Sequence, residues 1–273
     1  MSMVNIDLIE LVLSLILDWS IRRLKSIQQI INAKRYLEIG VQAGTTFRSL
    51  KLDHMDGVDP RFLFDVNQVV GEGRHLHEMT SDQFFLKNLG AEKYDLVFID
   101  GLHTYDQTYR DFCNVSLRLH SRSVVVVDDV LPYDQHSALR TQDECIASRA
   151  ADANFDGKNL RAWHGDVFRL LVFLNLFHTS LCYATVPGDE GVQTVIWSRA
   201  LEVEARMRQQ QEPWTHPPFA VFDRPQLLLK KMWNLKSVDY GWIMKHKKLY
   251  NFCSESILLD YFNVLFADDQ SRN

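Results

Sequence analysis

Tyr36-Leu37-Glu38-Ile39-Gly40-Val41-Gln42-Ala43-Gly44-Thr45-Thr46 is the stretch whose reading decides the fold. An apolar run of strand character ends in a turn with two glycines four apart, and one residue separates the first glycine from the acid before it. Glycines let backbone approach a ligand where a Cβ would clash, and a helix opening at Thr45 would aim N–H groups at a carboxylate or phosphate. The spacing is E-x-G-x-x-x-G. A dinucleotide fingerprint requires G-x-G-x-x-G, so the turn speaks for a nucleoside cofactor other than NAD.

Outward from this turn, apolar strands alternate with helical periodicity, the order of a doubly wound sheet. Strands are expected at 35–39, 54–58, 74–78, 96–99, 124–127, 181–186 and 192–198. Helices are expected at 6–18, 20–33, 45–51, 62–70, 82–89, 106–118 and 166–177. Only Pro187-Gly188-Asp189-Glu190-Gly191 separates the last two strands. That is too short for a crossover helix, so the pair must be an antiparallel hairpin, whereas a dinucleotide dehydrogenase continues parallel.

The expected fold is therefore α/β: a Rossmann-like, doubly wound, seven-stranded sheet with an antiparallel terminal hairpin strand. Residues 1–200 would form this domain with its N-terminal helices. Beyond it, Glu202 to Glu212 is polar and Pro213, Pro217, Pro218 and Pro225 crowd together. Residues 201–273 read as a linker and a small helical appendage.

Ligands of open α/β sheets bind outside the carboxyl ends of the strands, so polar residues just after each strand are the candidates. These are Glu38, Gly40 and Gly44 after the first strand, and Asp59 after the second, placed for a ribose diol or simply for the turn before Pro60. Thr80, Ser81 and Asp82 follow the third, able to cap the next helix and recognise adenine together. Asp100 and His103 follow the fourth, and Asp128 and Asp129 the fifth. Three carboxylates on adjacent strand ends repel one another unless a cation sits among them or one is protonated, which suggests a hard divalent ion such as Mg²⁺ with His103 in reach. The plainer alternative is that the Asp-Asp pair caps a loop and His103 bonds a backbone carbonyl.

Composition narrows the function classes. Thirty basic and 35 acidic side chains give a net charge of −5, which argues against wholesale nucleic-acid binding. Four cysteines without a C-x-x-C pair suggest neither a zinc site nor a disulfide framework, and a reducing, cytoplasmic setting is expected. The apolar run Ile6 to Leu17 is interrupted by Asp7 and Glu10. It lacks both the basic start of a secretory signal and the length of a span, so it reads as an amphipathic helix packing on the domain or on a second subunit. Lys230, Lys231, Lys236, Lys245, Lys247 and Lys248 are interleaved with Trp233, Tyr240 and Trp242. A solvated helix face is the preferred reading there over an anionic glycan, nucleotide-sugar or RNA surface.

The glycine turn resembles motif I of class I S-adenosylmethionine-dependent methyltransferases. His77-Glu78-Met79-Thr80-Ser81-Asp82-Gln83-Phe84-Phe85, Val97-Phe98-Ile99-Asp100-Gly101-Leu102-His103-Thr104-Tyr105 and Trp163-His164-Gly165-Asp166-Val167-Phe168 resemble methyltransferase family 24 in pattern and order over roughly residues 30–200. Its relatives include metal-dependent sugar O-methyltransferases of macrolide tailoring. The resemblance implies S-adenosylmethionine held by Glu38, Gly40, Gly44, Thr45, Asp59, Ser81, Asp82 and Asp100. It also implies a divalent cation on Asp100, Asp128 and Asp129, with His103 as catalytic base. Many members of the wider family carry His-Asp where this chain has Asp128-Asp129.

The expected function is O-methylation of a sugar hydroxyl in polysaccharide, glycolipid or natural-product tailoring, with a small-molecule or glycan acceptor. Two alternatives stay open: an N- or RNA-directed methyltransferase using the basic segment, and a non-catalytic cofactor-binding scaffold of the same fold. The His103 imidazole is expected to titrate near its reference value of about 6.5, with metal repulsion and burial both pushing it lower. Asp166 is expected to cap the helix that follows it.

Overall fold

The computed structural model describes residues 19–87, 92–158, 160–188, 191–209 and 225–267. Along the chain run α1 (Trp19–Ile31), β1 (Arg35–Ile39), α2 (Thr45–Ser49), β2 (His54–Asp59), β3 (Arg74–Glu78), α3 (Ser81–Lys87), β4 (Tyr94–Ile99) and α4 (Tyr105–Ser116). They are followed by β5 (Leu119–Val127), α5 (Gln142–Ala151), α6 (Leu170–Phe177), β6 (Leu181–Pro187), β7 (Val192–Ser198), α7 (Arg199–Gln209), α8 (Pro225–Met232), α9 (Tyr240–Lys245) and α10 (Glu255–Leu265). The N-terminal helix expected at 6–18, and the oligomer contact read from it, lie outside the described residues.

The seven strands form one sheet in the order β3-β2-β1-β4-β5-β7-β6. β1 to β5 run parallel to one another, while β7 runs antiparallel to both β5 and β6. The expected Rossmann-like sheet and its reversed hairpin are therefore both present. Side chains of the central strands alternate between two cores with the period of two that a doubly covered sheet imposes. Tyr36, Leu96, Phe98, Val124 and Val126 face a core shared with Leu24 and Ile27 of α1, Phe47 of α2 and Leu258 and Phe262 of α10. Leu37, Val97, Ile99, Val125 and Val127 face the other, with Phe84 and Phe85 of α3, Phe112 of α4 and Leu170, Leu171 and Leu174 of α6.

Three local expectations give way. A helix at 62–70 is reduced to a single 3-10 turn at Val66–Gln68, opened by Asp65 accepting from the Asn67 N–H at 3.1 Å. Gly71 and Gly73 follow too soon for a longer helix. The polar start of the expected linker is α7. Leu201 and Ala205, one helical turn apart, bury completely, and the buried Glu202 carboxylate accepts from Tyr261 Oη at 2.8 Å. Asp166 makes no cap for its own helix. Its Oδ1 instead accepts from the N–H of Tyr105, the first residue of α4, at 2.8 Å.

The C-terminal helices share the sheet's cores, α10 on one face and the Leu249–Tyr250 segment on the other. Among the described residues, no helix is long and apolar enough to cross a membrane.

Because Phe262 is fully buried against Trp197, with ring centroids 5.3 Å apart, Phe262→Ala should lower unfolding free energy by about 3–5 kcal/mol. Denaturant titration showing a loss below about 1 kcal/mol would mean that α10 is dispensable to the sheet.

Candidate active site

Register brings the carboxyl ends of four strands to one rim. Ile39 pairs with both Val58 and Ile99, and Ile99 with Val127, so residues 40, 59, 100 and 128 emerge side by side. A cleft of about 860 Å³ opens there, between β1 and β4, where the strand order reverses. Glu38, Gly40, Thr45, Asp59, Ser81, Asp82, Asp100, His103, Asp128 and Asp129 all line it. Gly44 alone among the expected site residues does not.

The two glycines serve the protein's own packing. Gly40 has φ +93°, and a Cβ on it would stand 1.9 Å from the Asp100 carbonyl oxygen. Gly44 has φ +72°, and a Cβ there would meet the Phe64 ring at 2.7 Å. The ligand-approach reading is thus corrected: bulk at either position collides with backbone or core before any ligand. Asp59 likewise has structural work, since Oδ2 accepts from Gln42 N at 2.9 Å and Oδ1 from Arg61 N at 2.8 Å. Each oxygen retains a second lone pair for a ribose hydroxyl. Ser81 Oγ accepts from Gln107 Nε2 at 3.1 Å, and Asp82 pairs with Arg110 at 3.2 Å on the outer lip.

Sequence reasoning missed several parts of the wall: Trp19 and Ser20 from α1, Gly191 from the hairpin, Arg61 and Leu63 after β2, and Gln107 and Asp111 on α4. Asp111 had a readable signal, an acid on the buried stripe of an amphipathic helix. Burial pushes its carboxyl up to about 6. Trp19 and Ser20 had none, because only the folded sheet carries α1 to the hairpin.

The cleft is acidic. Seven carboxyl groups line it, against Arg61 and His103. Glu38 is buried, and desolvation raises its pKa to about 8 despite the 2.7 Å hydrogen bond donated by Tyr36 Oη. Burial, then the charges of Asp100 and Asp129, hold the Asp128 carboxyl well above the usual range. Asp128 Oδ2 accepts from Gln193 Nε2 at 3.0 Å and Oδ1 from Asp129 N at 2.8 Å. Its oxygens thus face inward, and the group whose ligand atoms converge within 4.8 Å is Asp100, His103 and Asp129. Asp128 is not part of that convergence, contrary to the expected ligand set.

His103 is held from every side. Its Nδ1 lies 3.0 Å from Asp129 Oδ2 and 3.1 Å from the Trp163 carbonyl, both acceptors, so Nδ1 carries a proton. Nε2 lies 3.6 Å from Asp100 Oδ1 on the cleft side. The ring stacks on Trp163 with centroids 5.0 Å apart. Behind it, Asp166 N–H donates to the His103 carbonyl at 3.3 Å, and a Cβ on Gly165 would stand 1.6 Å from that same oxygen. The Trp163-His164-Gly165-Asp166 run is therefore the cradle of the His103 loop. Burial lowers the His103 pKa, but hydrogen bonds and charges of Asp100 and Asp129 outweigh it and raise the value well above ordinary. The expected downward shift is corrected accordingly. His103 in turn pulls the Asp129 carboxyl below its usual range against the effect of burial. Burial lowers the His164 pKa from its ordinary value, and its Nε2 lies 3.6 Å from Asp129 Oδ1.

In the basic segment, Lys231 Nζ bonds Ser237 Oγ at 3.0 Å and lies 5.5 Å from the Trp242 ring. That lysine and that tryptophan hold α8 and α9 together.

Sheet order and rim cleft define the class: this is the class I methyltransferase architecture. Within it, residues 37–130 match the family 24 model, described as a methyltransferase domain. No curated protein matches. Among solved structures, a putative O-methyltransferase from Klebsiella pneumoniae is 16% identical, with 69% of this chain and 94% of that one covered at a TM-score of 0.41. A putative caffeoyl-CoA O-methyltransferase from Staphylococcus aureus is 15% identical, covering 66% and 84% at a TM-score of 0.46. The O-methyltransferase TomG from Streptomyces achromogenes, involved in tomaymycin synthesis and solved with S-adenosylmethionine, is 16% identical, covering 65% and 79% at 0.38.

The raised Glu38 pKa has a stability consequence. Between about pH 4.5 and 8 the unfolded chain has released this proton while the folded chain keeps it, so Glu38 makes stability fall as pH rises through that window. Glu38→Gln, which still accepts from Tyr36, should show a smaller fall in denaturant midpoint between about pH 5 and pH 8 than wild type. An identical fall in both proteins would show that Glu38 ionises normally.

Proposed function

We propose that the protein transfers the methyl group of S-adenosylmethionine to a hydroxyl oxygen of a sugar, in polysaccharide, glycolipid or natural-product tailoring. The observation that carries this reading is His103, proton on Nδ1 fixed by Asp129 and Nε2 turned to the cleft beside Asp100. A sulfonium is already activated, so the enzyme's task is to align a nucleophile and take its proton. An alcohol needs that help because its own proton is held tightly.

The cleft's charge supports the cofactor. S-adenosylmethionine carries a sulfonium and an ammonium, and acid walls attract both, whereas a pyrophosphate would be repelled. Asp59 reaches the ribose diol while tying the glycine turn to β2, and Ser81 and Asp82 lie at the adenine end. Asp129 orients the imidazole and stabilises the imidazolium once His103 Nε2 has accepted the hydroxyl proton, as the carboxylate of an acid–imidazole dyad does. Asp100 and Asp129 suit a hard divalent cation by their carboxylate donors and would be the residues to hold it, which leaves His103 Nε2 free to take the proton. Such an ion, when bound, supplies Lewis-acid lowering of a coordinated hydroxyl's pKa.

Asp59→Ala should weaken S-adenosylmethionine binding in calorimetry with turnover at saturating cofactor largely kept. Unaltered affinity would take the ribose away from Asp59. On a panel of hydroxylated sugars, His103→Ala should lower turnover by about 10²–10⁴-fold without loss of cofactor affinity. Wild-type turnover by His103→Ala would end the base assignment. Excess chelator should remove turnover and Mg²⁺ restore it, with cofactor affinity constant. Full activity in chelator would leave His103 to act unaided.

A further inference from the structure

Gln193 of β7 is fully buried, and no feature of the glycine turn or of the acid cluster requires an amide at that position. Its Oε1 accepts from Arg23 Nη1 at 2.9 Å, and a guanidinium has no acceptor to offer, so the amide can be oriented only one way. The amide nitrogen therefore faces Ser20 Oγ at 2.9 Å and Asp128 Oδ2 at 3.0 Å, and both its hydrogens are used. Arg23 is itself fully buried and anchored. It donates to the Val186 carbonyl at 3.2 Å and the Pro187 carbonyl at 3.0 Å, pairs with Glu255 at 3.4 Å, and lies 4.8 Å from the Trp19 ring.

The other end of the chain of bonds reaches the chemistry. Asp128, fixed by Gln193 through Oδ2, uses Oδ1 to accept from Asp129 N at 2.8 Å. Asp129 sits at φ +58°, a left-handed conformation that a non-glycine residue holds only when its surroundings enforce it. In that conformation its carboxylate meets His103 Nδ1 at 3.0 Å.

We propose that Gln193 is a positioning residue for methyl transfer: anchored by Arg23, it holds Asp128 so that Asp129 keeps its left-handed turn and aims His103. The same amide ties this turn to Ser20 in the wall contributed by α1, so the α1 wall and the base share one hydrogen-bonded support. The inference rests on the reading of His103 as base.

The test compares Gln193→Met, of similar length without a donor, with Gln193→Glu, which keeps an acceptor for Arg23 and sets an acid against Asp128. Both should lower kcat by roughly 10- to 100-fold while S-adenosylmethionine Kd stays within about threefold, the size of effect seen when a group supporting a reactive side chain is lost. Adding Gln193→Met to Asp128→Asn should cause little further loss, because both act along one path. A second readout needs no acceptor: the downfield Nδ1 proton resonance of His103, assigned by its absence in His103→Ala, should shift or broaden in Gln193→Met and Gln193→Glu. Unchanged kcat, a parallel loss of cofactor affinity, or multiplicative losses in the double variant would overturn the proposal. If His103→Ala keeps full turnover, the base reading fails by itself. The resonance then decides, and its persistence unchanged in both Gln193 variants overturns the positioning role.

Discussion

The close approach of β1 to β4 at Gly40 is the constraint on which the site depends. Gly40 N–H donates to the Val58 carbonyl at 2.9 Å, Asp100 N–H to the Ile39 carbonyl at 2.8 Å, and no side chain fits between residue 40 and the Asp100 carbonyl. The sheet reverses its winding at this pair of strands, so the chain after β1 leaves toward one face and the chain after β4 toward the other. The crevice between them is the cleft. The glycine turn and Asp59 fall on one side of it and the Asp100–His103 loop on the other, so the proposed cofactor turn and the proposed base face each other across the cleft.

Electrostatics explain how such an acidic rim remains folded. Three aspartates after β4 and β5 could not all ionise in a buried space without compensation. The structure separates their roles. Asp128 turns inward to Gln193 with its pKa raised, Asp129 keeps its charge against His103, and Asp100 stands at the cleft side of the same imidazole. The raised pKa of Asp128 and the pairing of Asp129 with His103 relieve part of that repulsion. The convergence of Asp100, His103 and Asp129 leaves a donor set in the same place.

Much of this was legible in the sequence. The alternation of apolar runs marked all seven strands, and the five-residue link before Val192 required the reversed hairpin. Ten of the eleven expected site residues line the cleft, because strand ends in a doubly wound sheet share one rim, which makes position after a strand a spatial statement. Less legible were features that depend on partners distant in sequence. Glu202 looked solvated until Tyr261, 59 residues on, came to bond it. Asp166 looked like a local cap and instead serves α4. The helix α5 did carry a local signal, Thr141 three residues before Glu144, and both bonds of that capping box form. Gln193 carried no signal at all, since a polar residue within a strand gains meaning only when Arg23 and Asp128 are brought to it from opposite ends of the domain.

Charge complementarity also bears on the direction of the proposed reaction. S-adenosylmethionine enters with a sulfonium and leaves as a neutral thioether, so an acidic cleft attracts the substrate form more strongly than the product form. That preference hastens product release, yet it also stabilises the ground state relative to a transition state in which the positive charge is fading, which lowers the rate. A fully ionised rim would therefore work against methyl transfer. Burial of Glu38, whose pKa of about 8 leaves it mostly protonated at neutral pH, and of Asp128 moderates the field at the cofactor end. Asp129 keeps its charge where it helps, beside an imidazole that becomes cationic as the acceptor loses its proton. In the proposed reaction the Glu38 acid stands at the glycine turn and Asp129 behind the imidazole, so attraction for the cofactor and stabilisation of proton transfer would be supplied by different residues.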